Sequence, residues 1–432
     1  QNSPPAEYQV IGGNTAGTLR DTLQIDGTGR DDAQQVVLTS TAITLGRTVG
    51  FTDVAAIEVN TGDGDDSLEV DTTGGFVAPH VIFDGGSGQD TLLITAGSVA
   101  DEVQFYSGPV DNTGRLVYED ALNAQLMQID YANLEPVLDN VAAATLTVFG
   151  TGANNSITYT NGPGGLFFGL GVDTGLVQVD GFESIEFANK ATLAINGGNG
   201  DDIIEINGQT TPQGLVNPIQ VNGGDPTASD KLIVNAQAGV FDPMVLEPTA
   251  VGAGTVVYDL ANLPNVVFTG IEGLTLVGQE SDADTFGIDG TIGDDVLEYQ
   301  SGITPDTGSV SGSLDGNNAT GNGPFALVPT TFKGMSQGSV LVFNNFAQIG
   351  GADSFVMNGT ANSDLLSVSG AGPGALLITN SVNAQLVASL FVNNLANAFV
   401  QTGDGGDSVT VNGGIQVPVT VDGGSPAPGD VL

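Results

Sequence analysis

Residues 81–94 read VIFDGGSGQDTLLI and contain the pattern that decides the fold. An apolar segment rich in β-branched and aromatic residues leads into a glycine-rich turn, and Asp90 precedes a second apolar segment. Glycine supplies the positive φ angles of a tight turn, and an Asp side chain accepts hydrogen bonds from turn amides. The stretch therefore predicts two short β-strands joined by a compact acidic turn.

The same unit recurs along the chain, which makes internal repetition the strongest signal in the sequence. The long form appears as IEVNTGDGDDSLEV (57–70), LAINGGNGDDIIEI (193–206), IQVNGGDPTASDKLIV (219–234), VQTGDGGDSVTV (400–411) and VTVDGGSPAPGDVL (419–432). A shorter form begins with Gly-Thr and appears as GTLRDTLQI (17–25), GTGANNSITY (150–159), GTIGDDVLEY (290–299) and GTANSDLLSV (359–368). The chain is therefore expected to be a repeat protein.

A second marker groups these units into modules. An aromatic residue is followed three positions later by an aliphatic residue and usually a Glu, as at Phe182, Ile185 and Glu186, and again at Phe346 and Ile349. The order of short turn, marker and paired long turns predicts three modules, residues 1–140, 141–287 and 288–432. The third is irregular, with a Gly/Asn/Ser-rich insertion around 301–323, and we expect it to continue past Leu432 or to pair there with a neighbouring copy.

The sequence indicates an all-β fold, apart from a weak helical pattern at residues 119–129. Apolar and polar residues alternate at a period of two, and Gly, Asp and Asn punctuate them. Paired acidic turns lie about one coil apart in sequence, which favours a parallel β-helix, or solenoid. Tandem β-sandwich or β-roll modules are the alternative. The pairs are Asp66 with Asp90, Asp202 with Asp230, and Asp407 with Asp430.

The charge balance limits the classes of partner. Fifty Asp and Glu residues face seven Lys and Arg, a formal net charge of −43, although only 13% of residues are charged. Such a chain repels nucleic acid and anionic lipid. No apolar run reaches the roughly 18 residues of a spanning helix, so membrane insertion is not expected. The absence of Cys excludes disulfides and thiolate metal sites.

The clustered acids predict calcium, because this ion takes carboxylate and carbonyl oxygens in flexible geometry and neutralises packed like charges. The simpler interpretation is that each carboxylate caps the amides of its own turn. Both interpretations remain open for each turn. The candidate ligands are Asp63, Asp65, Asp66, Asp90, Asp201, Asp202, Asp230, Asp294, Asp295, Asp404 and Asp407.

Two turns resemble the hemolysin-type (RTX) calcium-binding repeats. Gly85-Gly86-Ser87-Gly88-Gln89-Asp90, followed by Leu92, and Gly197-Gly198-Asn199-Gly200-Asp201-Asp202, followed by Ile203, match the pattern G-G-x-G-x-D with a following aliphatic residue. The resemblance implies Ca²⁺ shared between stacked turns of a β-roll. Here the turns are isolated rather than in tandem about every nine residues, so a neighbouring coil must complete any ion site. The whole pattern also looks like the repeat regions of very large exported bacterial surface proteins.

No catalytic constellation is evident. His80 is the only histidine, no G-x-S-x-G motif occurs, Trp is absent and the basic residues are scattered singly. We therefore expect a structural, calcium-stabilised extracellular segment of a bacterial surface layer, filament or adhesin stalk, which associates head-to-tail with copies of itself or with neighbouring repeats. The alternative is a glycan- or host-binding adhesin module that uses exposed Tyr106, Tyr118 or Tyr299. A carbohydrate-active β-helix enzyme is the third and less favoured hypothesis.

Overall fold

The computed structural model describes most of the chain and shows an all-β protein. In the described part the chain forms 38 strands and no helix, which confirms the predicted class. The marker at Phe346 and Ile349, the end at Asp430 and part of the 301–323 insertion lie outside the described residues. The described residues are 7–11, 21–27, 35–108, 110–165, 167–169, 171–224, 229–258, 263–279, 284–304, 307–316, 324–334, 340–344, 352–383, 385–424 and 431.

The chain divides into two compact units, of which the first comprises Gln1–Asp202 and Thr210–Gln220. The division does not test the three predicted modules, which remain a prediction. The strands of the first unit are β1 (Glu7–Ile11), β2 (Thr22–Asp26), β3 (Gln35–Leu38), β4 (Ala42–Leu45), β5 (Arg47–Gly50), β6 (Ala56–Asp63), β7 (Ser67–Asp71), β8 (His80–Ser87), β9 (Thr91–Thr95), β10 (Val99–Ser107), β11 (Thr113–Glu119), β12 (Gln125–Ala132), β13 (Val137–Asp139), β14 (Ala142–Phe149), β15 (Ser156–Asn161), β16 (Gly175–Val179), β17 (Ile185–Phe187) and β18 (Lys190–Gly198).

These strands form two mixed sheets. The first sheet has the order β1-β2-β6-β8-β12-β11-β10-β14-β18. The second sheet has the order β5-β4-β3-β7-β9-β13-β17-β16-β15. The chain passes from one sheet to the other after a single strand or after an antiparallel triplet such as β10-β11-β12. A triplet adds three adjacent strands before the parallel stacking resumes.

The second unit comprises Ile203–Gln209 and Val221–Leu432, and strand β20 (Ile219–Gly224) contains the division between the units. Its other strands are β19 (Ile203–Asn207), β21 (Lys231–Asn235), β22 (Met244–Ala250), β23 (Ala253–Tyr258), β24 (Val266–Thr269), β25 (Gly273–Val277), β26 (Phe286–Asp289), β27 (Val296–Ser301), β28 (Gly308–Leu314), β29 (Phe325–Ala326), β30 (Thr330–Lys333), β31 (Val340–Asn344), β32 (Ser354–Asn358), β33 (Asp364–Gly372), β34 (Ala375–Val382), β35 (Gln385–Asn393), β36 (Asn397–Gln401), β37 (Ser408–Val411) and β38 (Val419–Asp422).

The second unit repeats the plan of the first. Its first sheet has the order β24-β23-β22-β26-β31-β35-β34-β33-β37. Its second sheet has the order β19-β21-β25-β30-β28-β27-β32-β36-β38. Triplets again interrupt the parallel stacking, in the first sheet as β22-β23-β24 and β33-β34-β35 and in the second as β27-β28-β30. The predicted solenoid-like repeat is therefore confirmed in a form with inserted hairpins.

The core of each unit consists of aliphatic and aromatic side chains stacked from strand to strand. In the first unit, Leu23, Ile57, Val81 and Ile129 occupy matching positions on four neighbouring strands. All four are at most 2% exposed. Each fully buried side chain of this kind contributes about 1.5–3 kcal/mol. Alternate residues point outward, so the period of two in the sequence is the period of burial.

The helix predicted at residues 119–129 is wrong. Strand β11 ends at Glu119 and β12 begins at Gln125. Between them the Asp120 carboxylate accepts the N–H groups of Leu122 and Ala124, both at 2.9 Å. Asn123 has a φ of 60°, which the left-handed region allows for Asn. The side chain–backbone hydrogen bonds of Asp favour this turn over a helix.

Candidate functional site: stacked acidic turns

The predicted acidic residues separate into a buried row and an exposed row. The buried residues are each at most 2% exposed, although a carboxylate prefers water. They immediately precede strands, so each lies where the chain leaves a turn. The buried row contains Asp66, Asp90, Asp202, Asp230, Asp295 and Asp407, and the exposed row contains Asp63, Asp65, Asp201, Asp294 and Asp404.

Buried carboxylates bind the backbone of the neighbouring turn. The N–H of Asp66 donates to Oδ1 of Asp90 at 2.8 Å, which brings together the first predicted pair of turns. The N–H of Asp90 in turn donates to Oε2 of Glu135 at 3.4 Å. We call this arrangement, in which the amide of one buried acid donates to the carboxylate of the next, the carboxylate ladder.

The second unit contains four further steps of the carboxylate ladder. The donor–acceptor distances are 2.8–2.9 Å, within the ordinary range for an amide and an oxygen. A charge-assisted bond of this kind is stronger than one between neutral groups. The steps run from the N–H of Asp230 to Glu272, of Asp242 to Asp284, of Asp295 to Asp353 and of Asp364 to Asp407.

The same carboxylates also close their own turns. Asp364 accepts the N–H of Thr360 at 2.7 Å and its hydroxyl at 3.0 Å. Asp295 accepts the hydroxyl of Thr291 at 2.7 Å and also its N–H. This contact explains the Gly-Thr motif of these two turns, because the Thr lies four residues before the acid and both its polar groups bind the carboxylate.

Asn155 occupies the position of the acid in one turn, and its side chain both accepts and donates hydrogen bonds. It accepts the N–H of Thr151 at 2.7 Å, as the Asp residues do in equivalent turns. Its amide also donates to Oδ2 of Asp180 at 2.6 Å, while its N–H donates to Asp202 at 2.7 Å. An aspartate here would be a third carboxylate in contact with the two others, whereas Asn supplies a donor.

The glycines that resemble calcium-binding repeats are required by the stacking of turns. A Cβ at Gly86 would lie 1.9 Å from the carbonyl oxygen of Gly62, and one at Gly88 would lie 1.8 Å from that of Gly64. Both residues also have positive φ angles, 98° and 141°. Real Cβ contacts are never this short, so only glycine lets one turn lie directly on the next.

The sequence reasoning missed several acids that the structure places in the ladder or its surroundings. The available signals were the position immediately before a strand for Glu272 and Asp353, and the Thr four residues earlier for Asp364. Stacking partners so far apart in sequence could not be paired by spacing, since triplets intervene. The missed acids are Glu135, Asp139, Glu183, Glu186, Asp242, Glu272, Asp284, Asp353 and Asp364.

Stacking like charges raises their affinity for protons. Burial raises the pKa of Asp90, helped by the nearby carboxylates of Asp66 and Glu135, although the N–H of Asp66 opposes the shift. Burial and the charge of Asp295 likewise raise the pKa of Asp353. Burial, with a contribution from Glu135, raises the pKa of Glu183 to about 7. Such groups call for a proton or a cation at neutral pH.

The fit of calcium to these turns is partial. Oδ2 of Asp90 is buried and has no hydrogen-bond partner among the described residues, which favours a cation or a proton beside it. The exposed carboxylates already bind the next turn, Asp63 through Ser87 at 2.6 Å and Asp65 through the N–H of Gln89 at 3.0 Å. Within the described ranges no three acidic or His side chains are grouped to hold a metal. Calcium therefore stays a prediction.

A second polar site lies on the first sheet of the first unit. Asp130 accepts hydrogen bonds from Arg115 at 2.5 and 3.1 Å and contacts Nε2 of His80 at 2.9 Å. Burial opposes ionisation of Asp130, but the hydrogen bonds and charges of Arg115 and His80 together outweigh it and lower the pKa of the carboxyl group. Tyr106 stacks on Phe149 with ring centroids 4.6 Å apart. Tyr106, Gly108, Thr113, Gly114, Arg115 and Asp130 line a cavity of about 350 Å³.

The exposure of the three candidate tyrosines differs from the sequence expectation. Tyr106 is 36% exposed and lies at the cavity described above. Tyr118 and Tyr299 are 0% exposed, so their predicted exposure is wrong. Both are on the inward face of their strands, where an alternating pattern buries large aromatic side chains.

Comparison of the sequence with models of known protein families and with curated proteins gives no match. Among the described residues there is no helix of the length and hydrophobicity needed to cross a membrane.

Proposed function

We propose that this chain is a structural repeat segment of an extracellular bacterial surface protein, a building block of a surface layer, filament or adhesin stalk. The carboxylate ladder is the observation that carries the proposal. Apart from the half-buried Glu135 and the exposed Glu272, its acids are buried, and all accept hydrogen bonds from or donate them through backbone amides, so they hold neighbouring turns together rather than facing a substrate. Catalytic acids would have to be open to a cleft, which the buried acids of the ladder are not.

The ladder suits a mechanical role because it adds a side-chain bond at turns where parallel strands stack. In the second unit, β33 pairs with β37 through four residue pairs, and the ladder bond from Asp364 to Asp407 lies at the same turn. In a solenoid-like array each repeat is stabilised by its nearest neighbours. A force that separates two turns must therefore break several hydrogen bonds together.

The surface composition supports an extracellular position and association with copies or neighbouring repeats. With 50 acids and seven bases, the chain needs counter-ions wherever copies approach one another. Extracellular calcium binds oxygen ligands and would supply that charge. We propose that calcium binds at the acidic turns, with the buried Oδ2 of Asp90 as the group that most needs a cation.

Single-molecule stretching tests the structural role. The full chain is held by its ends in optical tweezers, and the unfolding force is compared between the wild type, Asp364→Ala and Asp404→Ala. Asp364 is buried in the ladder and Asp404 is exposed, so only the first change is expected to lower the force of an unfolding step. Equal forces for all three proteins would contradict the role given to the ladder. Immunogold labelling of thin sections of source cells tests location, and label confined to the cytoplasm would overturn the extracellular part.

Calcium binding has its own test, which leaves the scaffold proposal standing if it fails. The melting temperature is measured at neutral pH in calcium, in magnesium and in EDTA at one ionic strength. Calcium is expected to raise the melting temperature most, and Asp90→Asn is expected to reduce that rise. Equal melting temperatures in calcium and EDTA would remove calcium from the proposal.

A second candidate function is glycan binding at the Tyr106 cavity. The observation in its favour is the convergence of an aromatic ring, an Arg and an Asp around one open recess, which are the groups that hold sugar hydroxyls and ring faces. A glycan array probed with the wild type should give signals that Tyr106→Ala abolishes. Phe241→Ala, at an aromatic residue that is 44% exposed in the second unit, is the matched control. An array without signal for the wild type would exclude this function.

A further inference from the structure

Lys190 is a buried cation in a chain whose surface is strongly acidic. Among the Lys and Arg residues that the structure describes, it is the one that is buried, and its side chain is 0% exposed. Its Nζ lies 3.2 Å from Oδ2 of Asp139, which is also 0% exposed. Lys190 begins β18 in the first sheet and Asp139 ends β13 in the second. The pair therefore joins the two sheets across the core of the first unit.

Three oxygen atoms surround Nζ of Lys190. Nζ donates to the carbonyl oxygens of Val141 and of Ala188, the latter at 3.1 Å. Oδ2 of Asp139 is the third oxygen atom, so an ammonium has one N–H for each of the three, whereas a neutral amine donates to the two carbonyls and turns its lone pair towards Asp139. Burial lowers the pKa of Lys190, although the Asp139 carboxylate opposes the shift.

Asp139 is placed to act as the electrophile once it carries a proton. Its Oδ1 accepts the N–H of Val141 at 2.9 Å, so a negative charge that develops on this oxygen has a donor in place. Its Oδ2 faces Lys190. Tyr118 is fully buried, and burial together with the neighbouring Asp139 charge raises the pKa of its hydroxyl well above the usual value. Tyr118 therefore keeps its proton and adds no further negative charge beside Asp139.

We propose that Lys190 and Asp139 condense into an isopeptide cross-link. A proton passes from the ammonium to the carboxylate to give the neutral amine and acid, which a water-excluded core favours over two ions. The Nζ lone pair then attacks Cγ of Asp139, and the carbon–nitrogen bond forms as the bond from Cγ to Oδ2 breaks. Oδ2 leaves as water with its own proton and one from Nζ. No oxidant, reductant or metal is consumed.

The fold supplies what this reaction lacks in solution. Folding holds the amine beside the carboxyl group, so the reaction itself does not bear the entropy cost of bringing the two groups together. The product amide is buried where water cannot readily reverse the step. The cross-link does not depend on the proposed scaffold function, although it would strengthen a chain that bears load. It would fix strands β13 and β18 of the two sheets to each other.

The mass of the purified full chain tests the cross-link directly. Condensation removes one water molecule, so the wild-type mass should fall about 18 Da below the sequence mass. Lys190→Met and Asp139→Ala should each restore the mass expected from their sequence, and Lys231→Met, at an exposed lysine, should retain the loss. After denaturation, trypsin should cut after Arg115 and Lys231 but not after Lys190, which leaves residues 116–231 as one peptide. Further digestion with a protease that cuts after Glu should leave the pieces 120–183 and 187–205 joined to each other.

The wild-type measurement decides the matter even if a core variant fails to fold. A wild-type chain with the full sequence mass, cleaved by trypsin after Lys190 once denatured, would overturn the proposal and leave a buried ion pair. A loss of one water that maps to any other pair of residues would overturn it as well.

Discussion

The carboxylate ladder can be tested by removing one acid and leaving its partners in place. Asp364 is 2% exposed and accepts three hydrogen bonds, from the N–H and hydroxyl of Thr360 at 2.7 and 3.0 Å and from Nδ2 of Asn380 at 3.0 Å. Thr360 and Asn380 are themselves buried. The change Asp364→Ala leaves both donors of Thr360 and one N–H of Asn380 without an acceptor in a place that water cannot readily reach, while the other N–H of Asn380 keeps its bond to Oγ of Ser301 at 2.9 Å.

The expected loss follows from the number of orphaned donors. A buried donor left without a partner costs about 1–3 kcal/mol, and two of the three are amide groups that cannot turn elsewhere. The change also removes the repulsion between Asp364 and Asp407, which offsets about 1 kcal/mol of the loss, the size of an interaction between partly screened charges. We therefore expect Asp364→Ala to lower the free energy of unfolding by about 3–5 kcal/mol. Asp364→Asn keeps one acceptor oxygen and should cost about half as much.

Urea unfolding followed by circular dichroism and tyrosine fluorescence measures these differences. Asp404→Ala is the matched control, because Asp404 is exposed in an acidic turn of the same unit and should change stability by less than about 0.5 kcal/mol. A loss for Asp364→Ala below about 1 kcal/mol would refute the claim that the buried carboxylates hold the turns together.

Three further predictions concern protonation, charge order and turn stacking. Because burial raises the pKa of Glu183 to about 7, the folded state binds this proton more tightly than the unfolded state does. The free energy of unfolding should therefore rise by up to about 3 kcal/mol as the pH falls from 8 towards 4.5. Thermal melts across this pH range check the rise, and Glu183→Gln should flatten that part of the profile. Asn155→Asp should cost about 2 kcal/mol by adding a carboxylate against Asp180, and the added change Asp180→Asn should recover most of it, as a double-mutant cycle would measure. Gly88→Ala should lower the melting temperature strongly because its Cβ would overlap the carbonyl of the stacked turn, whereas Gly152→Ala, with no atom within 4 Å of its Cβ, should not; equal melting temperatures would contradict the stacking argument.

Local patterns in the sequence predict the strands and the turns because the physical causes are local. Alternation at a period of two requires only that one face of a strand be buried, and β7 and β9 have that burial pattern. Glycine at positive φ and Asp before a strand are likewise properties of a few neighbouring residues. The one helical prediction failed where the side chain of Asp120 forms a turn that the weak apolar spacing did not reveal.

The sequence alone established an all-β repeat with acidic turns. Capping of backbone amides by the carboxylates was one of the two interpretations that the sequence left open. Only the tertiary structure decided which turns stack, because antiparallel triplets place Asp295 beside Asp353 and Asp364 beside Asp407 across different lengths of chain. The pairing of Lys190 with Asp139 is of the same kind. Contacts of this sort depend on how many strands each sheet has gained between two turns. No short stretch of sequence shows how many strands lie between two turns, so the partner of a buried charge is known only from the assembled sheets.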